Sequence, residues 1–147
     1  MEDFSRAVML ALLPVNAEWC RIELPHMTLV YAGKMDQLTP ADYNELGKDT
    51  LRLSKASPPL ALDVIGVDIF GDEEPVDVLL LEETPALTSM RASVERWNAS
   101  EHPFNPHVTV GPVGSLEGTI PSQILFDKVS FNWGDRGFNC NLTPDHG

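Results

Sequence analysis

Pro25-His26-Met27-Thr28-Leu29 and Pro106-His107-Val108-Thr109-Val110 are two copies of one pattern, Pro-His-x-Thr-aliphatic, in a chain of 147 residues. In a strand, residues two apart point to the same face. The spacing therefore puts His26 and Thr28 on one face, with Met27 and Leu29 on the other. His107 and Thr109 repeat the arrangement against Val108 and Val110. A polar pair interleaved with an apolar pair anchors a half-buried strand in a core while it presents chemistry to a cleft. The histidines lie 107 − 26 = 81 residues apart, about half the chain. This predicts a pseudo-symmetric site in which two imidazoles face each other.

Outward from the motifs, the rest of the chain divides into two similar halves. The apolar run Arg6 to Val15 suits a central strand, and the first His-x-Thr strand falls within residues 18–31, ended by Ala32-Gly33. Thr39-Pro40-Ala41-Asp42 starts a helix, with Thr as N-cap, Pro at N1 and Asp in the first turn. Tyr43, Leu46, Thr50 and Leu53 carry it at helical spacing to about Lys55, before Ser57-Pro58-Pro59. Leu60 to Phe70 and Val76 to Glu82 read as strands joined by the turn Gly71-Asp72-Glu73-Glu74-Pro75. Thr84-Pro85 opens a second helix with the same device, its stripe Leu87, Met90, Val94 and Trp97 ending near Asn98. The second motif strand stops at Gly111-Pro112, and a last hairpin pairs Ile124–Trp133 with Phe138–Leu142. Residues 1–147 thus read as one domain of two duplicated lobes, with no composition break or linker between them.

The bulk properties exclude several classes of function. Formal net charge is −12, with ten Lys plus Arg and no basic cluster. A protein that tracks a long phosphate backbone needs a basic surface, so a small nucleotide is favoured over long nucleic acid. The longest apolar run is too short to span a bilayer, and it follows Glu2 and Asp3 rather than a basic flank. That predicts a cytoplasmic protein with no membrane partner. Cys20 and Cys140 are the only cysteines and form no Cys-x-x-Cys, so reduced, largely buried thiols are expected.

Two histidines can do what one cannot. With an ordinary pKa of about 6.5, a neutral and a charged imidazole coexist near neutral pH. The neutral ring takes a proton from a hydroxyl, and the charged ring protonates a departing oxygen. Thr28 and Thr109 set a hydroxyl beside each ring, suited to the non-bridging oxygens of a phosphodiester. The scheme needs neither metal nor cofactor. A single His-x-Thr is commonly a surface pair, but two copies with the same flanks are not easily dismissed. His26 and His107 are the catalytic candidates, and Thr28 and Thr109 the substrate-binding ones.

These motifs resemble those of the 2H phosphoesterases, a family named for two His-x-Thr/Ser motifs. The likeness covers MLALLP from Met9, PHMTLVYAG from Pro25, the Gly-x-x-x-Phe-Gly stretch from Gly66, the Thr84-Pro85 helix and FNPHVTVGP from Phe104. It implies an α/β fold of the α+β type, bilobal and pseudo-symmetric, with two antiparallel sheets around a central cleft and helices outside. It also implies cleavage or cyclisation of phosphodiesters beside a ribose 2′-hydroxyl. Substrates in the family include 2′,3′-cyclic phosphates and 2′,5′-linked oligonucleotides. Some viral members degrade the cyclic di- or oligonucleotides that serve as antiviral alarm signals. A viral chain of this kind would act in the host cytoplasm. Among these, a cyclic dinucleotide or oligonucleotide is the preferred substrate here, with RNA-end processing as the enzymatic alternative and a nucleotide-binding sponge as the non-enzymatic one.

Secondary candidates surround the motifs. Phe104 precedes the second motif and could stack on a base. Tyr31 lies on the strand of His26 as a possible substrate contact, though its odd spacing turns it toward the core or the strand's end. Trp133 is in register with Phe131 and reads as core. Lys34 and Arg136 occupy turns and read as solvated charges. His102 lacks the companions of a metal site, so none is expected.

Overall fold

Alternating burial in the opening apolar run makes it a strand. The computed structural model describes residues 7–16, 25–116, 120–134 and 136–143. Cys20, His146 and the start of the predicted first motif strand lie outside them. β1 (Ala7–Pro14) buries Val8, Leu10 and Leu12 completely on one face. β2 (Met27–Lys34) follows, and then a 3-10 turn over Met35–Gln37. α1 (Pro40–Ala56) begins as its sequence demands. The Thr39 hydroxyl accepts from the Asp42 amide at 3.2 Å, and the Asp42 carboxylate accepts from the Thr39 amide at 2.8 Å. This reciprocal box satisfies two helix-terminal donors and contributes about 1 kcal/mol.

β3 (Leu60–Phe70) and β4 (Val76–Leu81) form the expected hairpin. Gly71 turns the chain with φ 97°, and a Cβ there would meet the Glu74 carbonyl oxygen at 3.0 Å. α2 (Pro85–Ala92) is capped by Thr84, whose hydroxyl accepts from the Leu87 amide. It is shorter than its apolar stripe predicts. The chain tightens into a 3-10 turn at Glu95–Trp97, and this turn delivers Arg96 and Trp97 together onto Asp49 of α1. β5 (His107–Pro112), β6 (Gln123–Trp133) and β7 (Arg136–Asn141) complete the fold.

All strand pairs are antiparallel. The hydrogen-bonded order is β2-β1-β6-β3-β4-β5, with β7 also on β6. The fold is thus mixed α and β with antiparallel sheet, as the family resemblance implies, but its two sheets are continuous through β3. Leu60–Asp63 of β3 pair with β6, whereas Val64–Phe70 pair with β4. The two motif strands stand at opposite ends of this path. Their Cα atoms nevertheless come within 8 Å of each other, so the sheet bends back on itself and closes the ends together. One contiguous core, from Val8 and Leu10 through Leu79 and Val108 to Phe126 and Val129, holds the bend. No helix among the described residues is long and apolar enough to cross a membrane.

Candidate active site

A cavity of about 730 Å³ lies where the motif strands meet. Its wall includes Thr28 and Tyr31 of β2, Phe70 at the end of β3, Arg91 of α2, and Phe104 and His107 at the start of β5. One member of each motif therefore reaches the same cavity. His26 and Thr109 are not part of this wall. His26 is half-buried one residue before β2 begins, and Thr109 is half-buried two residues along from His107.

The register explains which face each residue takes. On β5, His107 pairs with Leu80 and Thr109 with Val78, while Val108 and Val110 are fully buried. That is the expected period of two. On β2 the period is interrupted. Leu10 pairs with Val30 and Ala11 with Thr28, so Leu29 is an extra, bulged residue. Beyond the bulge, Tyr31 pairs with Met9, which shares its face of β1 with Ala11. Tyr31 therefore joins Thr28 on the cavity side rather than turning to the core. Odd spacing across a bulge becomes even spacing in space, and sequence alone did not reveal the bulge.

The same face of the sheet continues across β1, β6 and β7, outside the cavity wall. Ala11 pairs with Ser130 and Ser130 with Asn139, so these follow Thr28 in one row across four strands. Ser130 is buried, and its hydroxyl accepts from the Asn132 amide at 2.7 Å. Among the described residues, the Thr28 hydroxyl donates to the Met9 thioether, at 3.9 Å. Sulfur is a weak acceptor, so turning this hydroxyl toward an anionic oxygen costs little.

His107 is held more firmly. Its Nδ1 lies 2.8 Å from the Asn105 carbonyl oxygen. A carbonyl can only accept, so Nδ1 carries the proton, and the neutral ring keeps its lone pair on Nε2. Phe70 packs edge-on against the ring with centroids 4.8 Å apart. The loop before β5 is pinned across the gap, because the Ala99 amide donates to the Tyr31 carbonyl at 2.8 Å.

Several wall residues escaped the sequence reading. Arg91 stands four residues after Leu87, on the apolar stripe of α2, and a charge on such a stripe was the available signal. Its side chain is 13% exposed. Its Nε donates to the Leu29 carbonyl at 3.1 Å, and its guanidinium lies 4.6 Å over the Phe104 ring. Asn98, Ser100 and His102 also line the cavity, so His102 belongs to the site wall after all. Lys34 and Arg136 are exposed and not part of this wall, whereas Trp133 is half-buried in an aromatic cluster with Tyr43, Phe131 and Phe138. Cys140 is half-buried rather than enclosed, and desolvation pushes its thiol pKa up. Among the described residues, no three His, Cys, Asp or Glu side chains cluster as metal ligands would.

The family model of the 2′-5′ RNA ligase superfamily matches residues 21–140, which span both motifs. The chain belongs to this family, a group of 2H phosphoesterases. Solved structures agree on the fold. TT0787 of Thermus thermophilus aligns with TM-score 0.58 at 15% identity, covering 95% of this chain and 100% of that one. E. coli LigT complexed with NADP+ aligns with TM-score 0.55 at 18% identity, covering 95% of each chain. Kluyveromyces marxianus Usb1 aligns with TM-score 0.60 at 12% identity, covering 94% of this chain and 99% of that one. No curated protein matches the chain significantly. The family assignment makes phosphodiester chemistry the frame for this 2H site.

Proposed function

We propose that the chain is a metal-independent phosphodiesterase for small nucleotides, with His26 and His107 as its acid–base couple. The observation that carries this reading is the convergence of Thr28 and His107 on one cavity from opposite ends of the sheet. One imidazole takes the proton from a ribose 2′-hydroxyl, whose oxygen attacks the adjacent phosphorus. The other protonates the departing 5′-oxygen, and Thr28 and Thr109 hold the non-bridging oxygens. The products are a 2′,3′-cyclic phosphate and a 5′-hydroxyl. Tyr31 and Phe104 offer aromatic surface to a base.

The preferred substrates are cyclic dinucleotides or oligonucleotides of the alarm-signal kind. A net charge of −12 without a basic tract disfavours long RNA. The test is turnover by purified protein of cyclic di-GMP, cyclic GMP-AMP isomers and larger cyclic oligonucleotides, followed by mass spectrometry. Ribo forms should open with chelator present, and their 2′-deoxy counterparts should resist. Loss of activity in chelator, restored by a divalent ion, would replace this mechanism with a metallohydrolase. A second reading, processing of RNA ends, draws on E. coli LigT having been solved with 3′-AMP. Inert cyclic compounds beside rapid opening of nucleoside 2′,3′-cyclic phosphates would select it. Tight binding without any turnover would select a sponge.

A further inference from the structure

We propose that Arg91 forms a second phosphate subsite, so that the preferred substrate carries another phosphate beside the linkage that is cut. The inference rests on the phosphodiesterase reading and extends it to a residue outside both motifs. Among the described residues, Arg91 is the one Lys or Arg in the cavity wall. It sits there at a cost, because a cation taken out of water needs an anion or several acceptors. Arg91 has neither in full. Its one hydrogen bond within the described residues is from Nε to the neutral Leu29 carbonyl. Glu95 makes an ion pair with Nη1 at 3.6 Å, but its side chain is 64% exposed, so water weakens the pair.

A guanidinium has five N–H donors, arranged as a fork that matches phosphate. Nε is committed to Leu29 and Nη1 faces the exposed Glu95, so Nη2 keeps its donors for a ligand. The Leu29 carbonyl and the Phe104 ring fix the plane of that fork from two sides, so little entropy remains to be lost on binding. The cavity, about 730 Å³, is within the roughly 300–1,000 Å³ of ordinary ligand pockets. A two-phosphate ligand can therefore place one phosphate by His107 and Thr28 and the other by Arg91, with a base against the exposed side of Phe104.

The competing explanation is that Arg91 merely ties α2 to β2. Substrate selectivity separates the two. kcat/KM is measured for wild type, Arg91→Gln and Arg91→Lys on 3′,3′-cyclic GMP-AMP, which has two phosphates, and on guanylyl-(3′,5′)-adenosine, which has one phosphate and keeps the free 2′-hydroxyl beside it. Arg91→Gln should lose about 10–100-fold more on the first substrate than on the second, mainly through KM. Arg91→Lys should recover part of that difference, because it keeps the charge and loses the fork. Equal losses on both substrates, or none, would overturn the subsite. Calorimetry with 2′-deoxy cyclic di-GMP gives a readout that needs no turnover. Its Kd should weaken about 10–100-fold in Arg91→Gln, and an unchanged Kd would overturn the subsite even if the phosphodiesterase reading had failed separately.

Discussion

β5 holds His107 inside the strand, with Nδ1 committed to the Asn105 carbonyl and Phe70 edge-on to the ring, whereas β2 begins one residue after His26. The threonines differ too. Thr28 lies beside a bulge, with a thioether as its hydroxyl's acceptor. Thr109 lies in regular alternation with His107, and the register skip on β5 comes only after it, at Val110. Two motifs of nearly the same sequence thus receive different surroundings, because β2 and β5 end different halves of one bent sheet. Pseudo-symmetry of sequence does not require symmetry of role. With its Nδ1–H donating to the Asn105 carbonyl, His107 keeps a lone pair at Nε2, which suits the base role proposed for one ring of the pair.

The largest effect should come from the imidazoles. His26→Ala and His107→Ala should each reduce turnover by about 10²–10⁴-fold, with the double variant little worse than either alone. Circular dichroism should show the fold retained. Substantial activity in the double variant would remove the acid–base couple altogether. The pH profile of kcat/KM should be a bell, because one ring must be neutral and one charged, and its limbs belong to the pair.

A smaller effect is expected from the hydroxyls. Thr28→Ala and Thr109→Ala each remove one donor to the phosphate, which costs about 10²-fold. Thr→Ser variants should retain most activity at both positions. Should Thr28→Ala prove harmless while Thr109→Ala does not, the phosphate would be held from the β5 side alone.

Much of this architecture was legible in the chain. Thr39-Pro40 and Thr84-Pro85 marked both helix starts, and alternation marked β5, because each is a local rule acting on neighbours. The Pro-His-x-Thr strings named the candidate site for the same reason. What escaped is non-local. The bulge at Leu29 exists through the register of β1 against β2, and it decides where Tyr31 points. Arg91 reaches the cavity only because α2 packs near β2. The early end of α2 follows from the meeting of Arg96 and Trp97 with Asp49, a residue more than forty positions away.

That meeting is also the smallest and most specific test of how the two halves are joined. Asp49 on α1 is 3% exposed. Its carboxylate accepts from Trp97 Nε1 at 2.7 Å, from Arg96 at 2.6 Å and from Arg52 at 2.8 Å. Burial pushes this carboxyl's pKa up, but the hydrogen bonds from Trp97 and Arg96 and the charges of Arg96 and Arg52 outweigh it and hold the pKa below the ordinary value. A carboxylate depressed in the folded state adds stability that is fully present above its unfolded pKa, about 3.9. That stability is lost as pH falls through the folded value. Asp49→Asn should therefore lower unfolding stability by about 1–3 kcal/mol at neutral pH, measured in urea, and the deficit should shrink in acid below about pH 4. The proposed acid–base pair lies elsewhere, so turnover should change far less than in the motif variants. A deficit that stays constant down to about pH 2 would show that Asp49 acts by packing rather than by charge.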